Sequence, residues 1–198
     1  RMEQREIMEK LSLTPDSIFT AAQARAAGIH SEYLTNMVKS GELEKVAYGI
    51  YAFSEELYDE LYTLQRRKDK VIYSHETALY LHDLTDREPF VLSVTVPTGY
   101  HSHTLFRDSI CVHNIRKDLL FMGITELKTT WGNPVKVYDM ERTICDVLRS
   151  RNHIEMQTFQ DALKAYARRK DKDLRTLVRY AKLFRVEKIL RQYLEVLL

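Results

Sequence analysis

The chain holds little of what marks specialised folds. Two cysteines, Cys111 and Cys145, occur in 198 residues. That is too few for a disulfide framework, and each lies between apolar neighbours, so buried free thiols are expected. Four prolines and six glycines leave no low-complexity tract. No apolar run approaches the ~20 residues that cross a bilayer. The N-terminus, RMEQREIMEKLS, is charged and lacks an apolar signal core, so the cytoplasm is the expected compartment. There is no Gly-rich phosphate loop and no nucleophile elbow. No internal repeat and no sustained heptad pattern appears.

Charge of one sign is also missing, since the formal net charge is +2. The balance is uneven along the chain. Residues 1–54 carry 6 Lys and Arg against 7 Asp and Glu, a net of −1. Residues 55–141 carry 10 against 14, a net of −4, and residues 142–198 carry 14 against 7, a net of +7. The composition, 44% hydrophobic and 29% charged, is that of an ordinary globular protein. The length suits one large domain or two modest ones.

What is present is a compact order of elements between Phe19 and Phe53, FTAAQARAAGIHSEYLTNMVKSGELEKVAYGIYAF. Thr20 and Gln23 have capping-box spacing before an alanine-rich helix. Gly28 has the position of a left-handed helix end. Ser31 is the expected cap of a second helix, because its hydroxyl can accept a free backbone N–H. Leu34, Met37 and Val38 form that helix's inward stripe. Glu32, Asn36 and Lys39 lie opposite, flanked by Thr35, and Gly41 closes the helix. Leu43–Val46 and Ile50–Phe53 read as a hairpin around Ala47-Tyr48-Gly49, with Lys45 and Tyr48 near its tip. Helix, helix and hairpin in this order are the plan of a winged helix-turn-helix, which offers one helix and one turn to a DNA groove.

The rest reads as a mixed domain. Ile7, Met8 and Leu11 have helical spacing, as do Leu57, Tyr58, Leu61, Tyr62 and Leu64 behind Ser54, an expected cap. The run RRKDK at 66–70 marks a boundary. Beyond it, Ser74 is placed to cap a helix through Leu81. Strands are expected at Phe90–Val96, Leu105–Phe106, Ile110–Ile115, Gly123–Thr130 and Val135–Val137. Helices are expected at roughly 140–150, 155–168, 173–185 and 187–197. The fold class is therefore α+β: a winged helix-turn-helix over residues 1–54, a connecting helix over 55–70, and over 71–198 a mixed domain with a small β-sheet and a C-terminal helical bundle.

Few residues suggest catalysis. His101, His103, Cys111 and His113 lack the paired spacing of a structural zinc site. His75-Glu76 and His82-Asp83 fit helix ends, where they cap and pair locally. Glu126 and Lys128 are the nearest imitation of a nuclease strand, and no carboxylate precedes them on Phe90–Val96. No catalytic residue, metal or cofactor is assigned. Arg168, Lys172, Arg175, Arg179 and Lys182 recur at steps of four and three, and on one continuous helix they make a basic stripe. The stripe is either a solvated bundle face or a dock for nucleic acid or an acidic partner.

The segment KSGELEKVAYGIYAF, then IYSHETALYLHDLTD, LSVTVPTGY and VKVYDMERTICDVL, resembles the AbiEi antitoxins of bacterial abortive-infection toxin–antitoxin operons, block for block. The resemblance implies a cytoplasmic phage-defence protein with two roles. The winged domain would bind inverted repeats in its own promoter, an autoregulating repressor. The second domain would neutralise a nucleotidyltransferase toxin. The implied DNA-binding residues are Ser31, Glu32, Thr35, Asn36 and Lys39 on the helix, with Lys45 and Tyr48 on the wing. Arg142 and Asp146 look structural, an i,i+4 pair. The rival reading is a metal-dependent nuclease with a DNA-targeting winged helix. A regulator sensing a small ligand is a third.

Overall fold

The computed structural model describes residues 6–8, 11, 18–54, 59–101 and 110–197. They divide into two compact units, Arg1–Asp69 with Thr129–Asn133, and Lys70–Lys128 with Pro134–Leu198. The expected strand at Leu105–Phe106, His103 and the residues just after Ser54 lie outside the described residues.

The first unit runs β1 (Ile18–Thr20), α1 (Ala21–Ala26), α2 (Ser31–Lys39), β2 (Leu43–Ala47), β3 (Ile50–Phe53) and α3 (Glu60–Arg67). The capping box is complete. Thr20 Oγ1 accepts from the Gln23 N–H at 3.1 Å, and Gln23 Oε1 accepts from the Thr20 N–H at 2.8 Å. Gly28 follows α1 at φ +92°, a conformation that glycine adopts without steric cost. The sheet order is β1-β3-β2, antiparallel throughout. Its core joins Met8, Leu11, Phe19, Ala24, Ile29, Leu34, Met37 and Leu43, with Phe19 stacked on Tyr51 at 5.8 Å.

Two expected caps are corrected. His30, not Ser31, is the N-cap of α2, and it makes no side-chain cap bond. Ser31 is the first helical residue, and its carbonyl accepts from Thr35 Oγ1 at 3.0 Å. The described part of the connecting helix is capped by Asp59, whose carboxylate accepts from the Tyr62 N–H. The other Asp59 oxygen accepts from Thr129 Oγ1 and Asn133 Nδ2. The turn Thr129–Asn133 is thus tied into the first unit.

The second unit contains β4 (Ile72–Tyr73), α4 (His75–Leu81), β5 (Ser93–Pro97), β6 (Cys111–Ile115), α5 (Lys117–Leu120), β7 (Ile124–Lys128) and β8 (Pro134–Tyr138). Then come α6 (Met140–Arg149), a 3₁₀ turn at Arg151–His153, α7 (Met156–Ala167), α8 (Leu174–Leu183) and α9 (Glu187–Leu197). The sheet order is β6-β5-β4-β8-β7, with β4–β8 and β5–β6 parallel. The core of this unit centres on α6, against Leu79, Phe159, Leu163, Tyr166, Leu177, Phe184 and Leu190 among others.

The strand expected at Phe90–Val96 starts only at Ser93, leaving Phe90 and Val91 exposed. Ser74 holds the N-cap position of α4 without capping, because its hydroxyl instead accepts from Thr95 Oγ1 at 2.7 Å and meets His75 Nδ1 at 2.9 Å. Cys111 is exposed rather than buried, since β6 is a sheet edge; Cys145 is buried as expected. No described helix is long and apolar enough to cross a membrane.

Candidate nucleic-acid interface

Leu34 and Met37 are buried and hold α2 from behind. Ser31, Glu32, Thr35, Asn36 and Lys39 are all exposed on its other side. This follows from the helical repeat. Positions 32 and 39 lie opposite the centre of the 34/37 stripe, and 35 and 36 flank them. The Thr35 hydroxyl is committed to the Ser31 carbonyl, which leaves its methyl as the outward group. Glu32 is in the first turn of α2 and Lys39 in the last, so each charge suits the helix dipole.

The wing is equally open. Lys45 and Tyr48 are exposed, Tyr48 by 97%. The Lys45 ammonium sits 5.6 Å from the Tyr48 ring centroid. Gly49 closes the turn at φ +67°, and its carbonyl accepts from the Ala21 N–H at 2.8 Å. That bond ties the wing tip to the first turn of α1. The seven residues expected to meet DNA therefore lie exposed on two elements of one unit, beside Glu42 and Glu44, which are also exposed.

The five basic residues do not share one helix, the chain breaking at the DKD of 171–173 as its sequence suggests. Helix α7 ends at Ala167 and α8 starts at Leu174, so Arg168 and Lys172 fall in the connection. The Lys172 ammonium donates to the Arg169 carbonyl at 3.0 Å. The Asp173 carboxylate accepts from the Thr176 N–H and caps α8, which is why the helix restarts there. Arg175, Arg179 and Lys182 remain as one exposed face of α8.

Polar groups inside the second unit serve its architecture. Arg142 is fully buried. Its Nε donates to Asp146 at 3.0 Å, and its Nη1 donates to the carbonyls of Leu119 and Met122 at 2.7 and 2.8 Å. Its guanidinium stacks 3.9 Å from the Tyr138 ring and 4.4 Å from the Phe184 ring. Gly123 is needed here, at φ +78°, because a Cβ there would lie 3.0 Å from the Arg142 Cβ. Burial pushes the Asp146 carboxyl up, to about 6, against the pull of Arg142.

The His75 ring, at φ +51°, stacks on His113 at 3.5 Å and meets Ser150 Oγ at 3.1 Å. Desolvation lowers both imidazoles, and for His75 the adjoining His113, Arg142 and Arg149 add to it. His82 Nε2 meets the Tyr138 carbonyl at 2.7 Å. Nothing in the local sequence places His113 against His75, because that pairing is made by the sheet. Cys111 Sγ lies 3.5 Å from His113 Nε2, yet partial desolvation of the sulfur and the nearby Glu76 raise its thiol, the opposite of an activated nucleophile. Glu126 and Lys128 are exposed on edge strand β7. Among the described residues no three His, Cys, Asp or Glu gather as a metal site.

The geometry defines the class first: a winged helix-turn-helix unit followed by an α+β unit. Residues 5–54 match the family described as "Transcriptional regulator, AbiEi antitoxin". That match covers the winged segment, about a quarter of the chain. The fold is similar to that of the RV2827C protein from Mycobacterium tuberculosis, with a TM-score of 0.54 and 13% identity over 92% of this chain and 72% of that one. At such identity the likeness concerns the fold alone. No curated protein matches the chain.

Proposed function

We propose that this protein represses its own operon by binding inverted repeats in the promoter through α2 and the β2–β3 wing. We further propose that the second unit counters a nucleotidyltransferase toxin encoded beside it. The observation that carries the first part is the open face of α2. It presents five polar side chains while Leu34 and Met37 lock the helix to its core. Major-groove reading needs such a helix, with a phosphate-facing turn alongside. The first two N–H groups of α2 are not taken by a side-chain cap, and free N–H groups at a helix start suit a phosphate oxygen. The family match supports a regulator and an antitoxin. Two copies on two half-sites, one helical turn of DNA apart, would occlude the promoter.

The test is a promoter-duplex titration with the full chain, paired with a reporter strain. Specific binding and repression are expected, both lost when Ser31, Thr35 and Asn36 are replaced by alanine together. A promoter bound no better than random duplex overturns the repressor reading. Co-expression with the neighbouring toxin tests the second part, and unrelieved growth arrest overturns it.

A further inference from the structure

We infer that Glu32 and Asn36 are the specificity-determining pair of α2, reading a cytosine and an adenine about two base pairs apart in each half-site. The inference rests on the DNA reading above and names what that face recognises. It begins from an electrostatic oddity. A carboxylate at the centre of a DNA-facing helix is repelled by phosphate, and residues 1–54 are already net negative. Beyond its favourable place in the first turn of α2, the Glu32 side chain makes no hydrogen bond or ion pair among the described residues. Exposed and on the middle of the outer face, it meets the groove floor rather than the backbone. The major-groove donors open to a carboxylate are the amino groups of cytosine and adenine, and the adenine N7 acceptor beside its amino group repels a carboxylate, which leaves cytosine.

Asn36 follows one turn later, about 6 Å along the helix axis. Its amide is exposed, and an amide matches the donor and acceptor of adenine bidentately. At about 3.4 Å per base pair, that rise separates the two bases by about two steps. Thr35 lies between them with its hydroxyl held by Ser31, so it offers a methyl, which fits the thymine methyl. Lys39 is another turn on, at the helix end, where a cation reaches the backbone. The arrangement divides the work: Glu32 and Asn36 choose bases, Lys39 and Lys45 add attraction.

Selection from a random duplex library with the full chain tests this. The unaltered protein is expected to recover half-sites bearing cytosine and adenine about two positions apart. Glu32→Gln is expected to switch the cytosine position to adenine, because an amide replaces the carboxylate, with discrimination against cytosine of about tenfold. Asn36→Ala is expected to lose preference at its own position alone. Both side chains are exposed, and circular dichroism and melting temperature confirm that the variants stay folded. Identical recovered motifs for all three proteins, with binding intact, overturn the base assignment and leave repression standing. A parent chain that binds no duplex overturns both.

Discussion

Glu141 is one of the buried carboxyls, with Asp146 and Asp139, that make the stability of the second unit depend on pH. The side chain is buried at the start of α6, and one of its oxygens has no partner. Desolvation raises it to about 7, against the hydrogen bond from Tyr166, while Asp139, Asp173 and Asp171 add repulsion. A carboxyl raised in the folded state binds its proton there more tightly than in the unfolded chain. The fold therefore loses stability as pH climbs from the ordinary glutamate range to about 7. Glu141→Gln removes that titration. Its advantage over the parent in melting temperature should be larger at pH 8 than at pH 5. An advantage that does not change with pH contradicts the assignment. Arg142 beside it is paired through Nε and Nη1, with its buried Nη2 left without a partner. Removing one partner of such a buried pair typically costs about 3–5 kcal/mol.

Helix α8 stands apart among the elements because one face carries three exposed cations and the other enters the core through Leu177 and Ala181. Changing Arg175, Arg179 and Lys182 to glutamate should therefore leave the fold intact. It should impair toxin rescue or promoter binding, and full performance in both assays would make the face merely solvated. Elements of this length were legible in the sequence, since their periodicity and stops are local: Thr20 and Gln23, Gly28 and Asp173 mark their own boundaries. Four elements were not. The strands Ile18–Thr20 and Ile72–Tyr73, the helix Lys117–Leu120 and the 3₁₀ turn Arg151–His153 are too short to show a periodicity. Residue 72 finds its place only between β5 and β8, whose pairing the chain cannot announce locally. The α2 cap was misplaced by one residue, a choice between neighbouring polar side chains that backbone dihedrals decide. The five α2 residues of the proposed interface were legible as an outward face because Leu34 and Met37 fixed the inward one. The His75–His113 stack was not, because it joins a helix start to a sheet edge.

At the scale of the whole molecule, charge is distributed away from the proposed reader. Residues 1–54 are net −1 and residues 142–198 net +7, so in the proposed binding mode attraction to phosphate would rest on a few lysines such as Lys39 and Lys45. Lys39→Ala and Lys45→Ala should each flatten the salt dependence of promoter binding by about 0.9 in logarithmic slope. Unchanged slopes in both variants would move the interface elsewhere. The path of the chain has its own consequence. Asp59 draws two of its hydrogen-bond partners, Thr129 and Asn133, from a turn that belongs to the first unit yet is joined on both sides to strands of the second. During synthesis that turn leaves the ribosome long after the wing residues, and any nascent or clipped product ending before it lacks the residues that complete Asp59.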